Sequence, residues 1–136
     1  MINILQGKHW AIITATQETL GAHNSPANEA ANADLAAELN LRGHVYTPIS
    51  GVWNGVEQGL SFLLHAISCA EAMHLAYLYN QDCVVFPRGL VYLAGDFTPF
   101  TGRLLFGADA ESQPGYSRFA DGTAFAFETE LLVNPS

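Results

Sequence analysis

Positive charge is what this chain has least of. Lys8, Arg42, Arg88, Arg103 and Arg118 are its only lysines and arginines, against 13 acidic residues, for a net charge of −8. The five are scattered, so no footprint for a nucleic-acid phosphate backbone exists. Charged residues of both signs make up only 13%, while hydrophobic ones reach 49%. A small domain so apolar leaves surface that self-association would cover. Cysteine is scarce too: Cys69 and Cys83 allow neither a disulfide framework nor a zinc spacing, and read as small buried hydrophobes in a reducing cytosol. His9, His23, His44, His65 and His74 show no metal-ligand spacing, so neither metal nor cofactor is expected. There is no nucleophile elbow, and GVWNG and GVEQG are too short to cradle a phosphate. No apolar run approaches a membrane span, and MINILQGKHW has no basic region or small-residue cleavage site. The expectation is a soluble, cytoplasmic chain without nucleic-acid or membrane partners.

What is present suits one domain over residues 1–136, with a core over about 9–96 and an extension over 97–136. HWAIITAT (residues 9–16) reads as a first strand. Ser25 as N-cap and Pro26 in the first turn open a helix running to about Arg42, with Leu35 and Leu39 on its apolar face and Gly43 as its stop. A strand over 44–50 is interrupted at Pro48, which suits an edge or a bulge. The turn GVWNG leads into a strand over 57–67. Ser68-Cys69-Ala70-Glu71 has the spacing of a capping box and opens a second helix ending near Asn80. Residues 83–86 and 90–93 are short strands split by the turn Pro87-Arg88-Gly89. Beyond Asp96, residues 103–106 and 123–132 read as strands separated by a loop, ADAESQPGYSRFADG. The order β-α-β-β-α-β is that of an α+β, ferredoxin-like sandwich, here with a β-rich C-terminal extension.

Gly51 to Cys83 is the densest stretch for chemistry. Glu71 is assigned to capping. Glu57 stands between Gly55 and Gly59, where a turn enters a buried strand, and no cap explains it. It reads either as an edge charge that discourages strand aggregation or as the carboxylate of a site. Trp53 and Tyr46 lie on the same turn and its entering strand. A carboxylate with aromatics is equipment for a cation, although packing also accounts for the rings.

The segment AMHLAYLYNQDCVVFPRGLVYLAGD, with Gln81-Asp82-Cys83-Val84 and Gly89-Leu90-Val91-Tyr92, resembles part of the bacteriophage S-adenosylmethionine lyases. The pattern of Trp53, Glu57, Ser61, Phe62 and Leu63 also resembles a related group of uncharacterised bacterial domains. The likeness spans residues 9 to about 96. It implies a PII-like, ferredoxin-type domain assembled as a homotrimer with sites between subunits. It also implies cleavage of S-adenosylmethionine to 5′-methylthioadenosine and homoserine lactone, the substrate carboxylate attacking its own Cγ, as a phage defence against host restriction. A sulfonium is already a good leaving group, so the protein need only fold the substrate and seat its charges. On this reading Glu57 holds the α-ammonium and Tyr46 orients the ligand, while Trp53, Asp96 and Gln81 are further substrate contacts. The alternative is a non-catalytic, trimeric PII-like module that binds an adenosine-containing metabolite.

Overall fold

Short runs of β-branched and aromatic residues set between Gly, Pro and Asn favour strands. The computed structural model describes residues 2–129 and contains eight such strands. In chain order the elements are α1 (Ile2–Leu5), β1 (Ala11–Ile13), α2 (Pro26–Leu41), β2 (Tyr46–Trp53), β3 (Val56–Leu64), α3 (Cys69–Leu78), β4 (Cys83–Phe86), β5 (Gly89–Tyr92), β6 (Phe97–Phe106), α4 (Ala108–Glu111), β7 (Gly115–Phe119) and β8 (Ala124–Thr129). Every pairing is antiparallel, in the order β1-β3-β2-β7-β8-β6-β5-β4. Ile12 opposite Val85 then joins β1 to β4 and closes a barrel.

Closure overturns the expected ferredoxin-like, PII-like sandwich. Strand, helix, strand, strand, helix, strand do follow one another from β1 to β4, but the sheet has no free edge there: β5 to β8 carry it round until it meets itself. A closed ring leaves no unpaired edge, which an open four-stranded sheet would expose on both sides. Residues beyond 96, expected as an extension, supply β6, β7 and β8 of the wall. The expected loop over 108–122 holds α4 and β7. The last part of the strand expected over 123–132 lies outside the described residues. Pro48 is tolerated because pairing of β2 with β7 starts one residue later, at Ile49, so its missing N–H interrupts no ladder on that side.

In β1, β4 and the last part of β3 both faces are packed against other residues. Ala11, Ile13, Phe62, Leu64, Val84 and Phe86 pack with Leu35 and Leu39 of α2 and Leu75 of α3. The alternate residues Ile12, Leu63 and Val85 turn into the lumen beside Ile49, Phe119 and Phe125. The two-residue period of a strand divides the run SFLL in this way. One end of the lumen is stoppered. Leu5 of α1 and Trp10 are buried there, and the Trp10 indole N–H donates to the Leu5 carbonyl at 3.2 Å.

Both helices begin as their caps dictate. Ser25 Oγ accepts from Asn28 N at 3.2 Å, and Ser68 Oγ accepts from Glu71 N at 3.1 Å. The second cap is half of the expected box. The Glu71 carboxylate does not reach back; its Oε1 lies 2.8 Å from Arg42 Nη1 and 3.4 Å from His44 Nε2. Cys69, expected to be buried, is exposed at the first position of α3, whereas Cys83 is partly buried and burial pushes its thiol pKa up. Among the described residues no helix is long and apolar enough to cross a membrane.

Candidate functional site

The β2–β3 hairpin builds the open end of the barrel. Its loop is the dipeptide Asn54-Gly55, with φ of 50° and 78°. Two positive φ values in succession are what a tight type I′ turn needs, and Asn-Gly supplies them at least cost. Asn54 N donates to Pro114 O at 2.7 Å, fixing the hairpin to the start of β7. Three residues behind the turn the register slips: Gly51 faces Gly59, but Val52 faces Glu57. Gln58 is therefore the extra residue of a bulge, and a bulge re-aims the side chains on either side of it. Gln58 lines a cavity in the barrel mouth, while Glu57 is exposed on the hairpin and its Oε1 accepts from Gly59 N at 3.3 Å.

That cavity measures about 330 Å³. Phe100 and Phe127 form one wall, stacked 4.7 Å apart with planes 6° from parallel. Trp10 stacks on Phe127 from the stoppered end, at 5.6 Å. Polar side chains are few: Gln58, Ser61, Ser117 and the phenol of Tyr116. Trp53 forms the rim, half exposed at 50%. Its indole meets Gly115 edge-on: a Cβ there would stand 2.6 Å from Cε3 and 2.7 Å from Cζ3. Glycine at 115 thus makes the room in which the ring's edge is seated, and half of the Trp53 surface stays exposed.

The antiparallel register places four of the five expected site residues at this end. Trp53 and Glu57 share the hairpin, and Asp96 is exposed on the β5–β6 turn. Gln81 precedes β4, where its Nε2 donates to Thr16 O at 3.3 Å and Tyr79 O at 3.2 Å and so buckles the end of α3 to the segment after β1. Of these only Trp53 lines the cavity. Tyr46 is elsewhere. It begins β2 opposite Leu64, six residues along the strand from the Val52–Glu57 pair, which is about 20 Å. Its ring meets Phe62 edge-on at 5.2 Å and packs toward the helices. Within one chain, Tyr46 and Glu57 do not meet.

The mouth is electronegative. Glu57, Asp82 and Asp96 are exposed at this end, and among the described residues none forms an ion pair. Arg118 lies 4.9 Å from the centre of the Tyr116 ring beside the cavity, but its charge is taken by Glu111. Among the described residues no three His, Cys, Asp or Glu side chains converge as a metal-binding group. Gln58, Ser117, Phe100 and Phe127 were not anticipated. For Gln58 a signal existed: glycines at 55 and 59 around an Asn-Gly turn announce a bulged hairpin. The Phe100–Phe127 stack joins two strands far apart in sequence and left no local trace. No protein-family profile matches the chain, and no curated protein is significantly similar to it.

Proposed function

We propose that this protein binds a small cationic ligand bearing a flat aromatic group at the barrel mouth. The observation that carries the reading is the half-exposed Trp53 indole, seated on Gly115 at the lip of an aromatic-walled cavity. A volume of about 330 Å³ is at the small end for ligand pockets, enough for a ring system but not for a long ligand. The charged part of the ligand then lies on the rim, where Glu57, Asp82 and Asp96 attract a cation and the indole face adds cation–π contact. Gln58, Ser61 and Ser117 supply the hydrogen bonds that orient the ring.

S-adenosylmethionine, with its adenine, sulfonium and ammonium, has this chemistry, and the resemblance of residues 72–96 to the lyases makes it the first ligand to test. Turnover asks only that the bound methionine chain fold on itself while Glu57 holds the ammonium, so binding and lyase activity share one site. Replacing Trp10 by Phe leaves Trp53 as the single indole. S-adenosylmethionine should then quench its emission saturably, adenosine should bind more weakly, and Glu57→Gln should weaken the charged ligand alone. Chromatography for 5′-methylthioadenosine separates a lyase from a binding module. Absence of both saturable quenching and product would sink the proposal.

A further inference from the structure

The five cations of this acidic chain are not used alike. Arg42 pairs with Glu38 at 3.4 Å and Glu71 at 2.8 Å, Arg103 with Glu128 at 3.4 Å, and Arg118 with Glu111. Lys8 and Arg88 form no ion pair among the described residues, and both line one groove of about 670 Å³. In a chain of net charge −8, two cations on one groove, neither in an ion pair among the described residues, set it apart from the rest of the surface.

The groove lies outside the barrel, against β4 and β5 and toward the stoppered end, so it is separate from the mouth. Its cationic side is Lys8 and Arg88; its floor is Ile67 and Phe86, both buried, and Phe97 stands beside them 51% exposed. The first turn of α3 opens on the same groove, and its N–H groups add to the positive side. Glu71, the acidic residue of that turn, is held by Arg42 and His44 instead.

We infer that this groove is a second binding site, for a small anion carried on a flat apolar body, of the aryl phosphate or aryl carboxylate class. Arg88 and Lys8 take the head group through charge-assisted hydrogen bonds. Phe97, Ile67 and Phe86 cover the apolar body and gain from its removal from water. A bare anion would leave the aromatic wall unused, and a neutral aromatic would leave both cations unused.

Titration of the ¹⁵N-labelled protein with phenyl phosphate, inorganic phosphate and benzyl alcohol tests this. Phenyl phosphate should give saturable shifts at the amides of residues 68–70 and 88, with a midpoint at least about tenfold below those of the other two probes. The Lys8→Gln, Arg88→Gln double variant should raise that midpoint by about tenfold or more while keeping a dispersed spectrum, since both side chains are exposed. Phe97→Ala should weaken phenyl phosphate and leave inorganic phosphate unchanged. Shifts confined to the barrel mouth, equal midpoints for the three probes, or a double variant that binds as well as wild type would each overturn the assignment. None of these outcomes depends on whether the mouth binds S-adenosylmethionine.

Discussion

Two buried asparagines, Asn28 and Asn32, satisfy main-chain groups in the core. Asn28 and Asn32 continue the stripe of Leu35 and Leu39 on α2, at spacings of four, three and four, so they enter the core with the leucines. Asn28 is fully buried: Oδ1 accepts from Gln17 N at 2.8 Å, and Nδ2 donates to Ala22 O at 2.8 Å and Gln17 O at 3.1 Å. Asn32 Oδ1 accepts from Ala15 N at 2.9 Å and Nδ2 donates to Thr16 Oγ1 at 2.9 Å. Together they hold the irregular chain between β1 and α2 against the barrel. Asn28→Leu keeps the size but strands several main-chain groups, and denaturant unfolding should show a loss of about 3 kcal/mol or more. A second residue ties stability to pH. Burial lowers the pKa of His65, whose Nε2 lies 2.8 Å from Thr47 Oγ1. With the folded pKa below the ordinary 6.5, the unfolded chain binds more protons there, so stability is retained above that value and lost as pH falls through it. His65→Gln should flatten the change in midpoint between about pH 7 and 5; an unaltered slope would place the effect elsewhere.

At the scale of elements, caps and turns explain where structure starts. Ser25 and Ser68 cap α2 and α3, and Asn54-Gly55 turns β2 into β3. The Ser68 and Glu71 side chains, expected to act together, serve different ends. Ser68→Ala should cost about 1 kcal/mol at every pH, as loss of a cap does. Glu71→Gln should act only through pH. Its hydrogen bonds to Arg42 and then His44 lower its pKa, so its contribution is present above the ordinary carboxylate range and fades as pH falls through it. Thermal melts from pH 7 down to about 3 should converge for Glu71→Gln and wild type at the acid end, while Ser68→Ala stays below wild type by a constant amount. At the mouth, Gly115→Ala should push the Trp53 ring from its seat and weaken ligand binding with little loss of stability; unchanged Trp53 emission in that variant would argue against the seat.

At the scale of the whole molecule, closure decides what is a unit. An independent core over 9–96 would survive removal of residues 97–136. The barrel predicts the opposite: without β6, β7 and β8 the lumen loses Phe119 and Phe125, both buried, and β5 and β2 become free edges. A fragment ending at Asp96 should aggregate or stay unfolded by circular dichroism and amide spectra, whereas a well-dispersed spectrum would mean that the first strands suffice. The groove and the mouth, on opposite sides of this wall, should respond independently to mutation.

Sequence by itself determined the two long helices α2 and α3, their serine caps, and the turn between strands at Pro87-Arg88-Gly89. Those are set within a few residues, by side-chain oxygens reaching nearby N–H groups and by apolar residues repeating at helical spacing. Only the tertiary structure decided that the sheet closes, because the pairing of β1 with β4 and of β6 with β8 joins residues that carry no local mark of each other. The register of β2 on β3 placed Tyr46 and Glu57 at opposite ends of one hairpin. A one-residue bulge, resolved only by the pairing of β2 with β3, turned Gln58 rather than Glu57 into the mouth, since side chains on a strand change face at every residue.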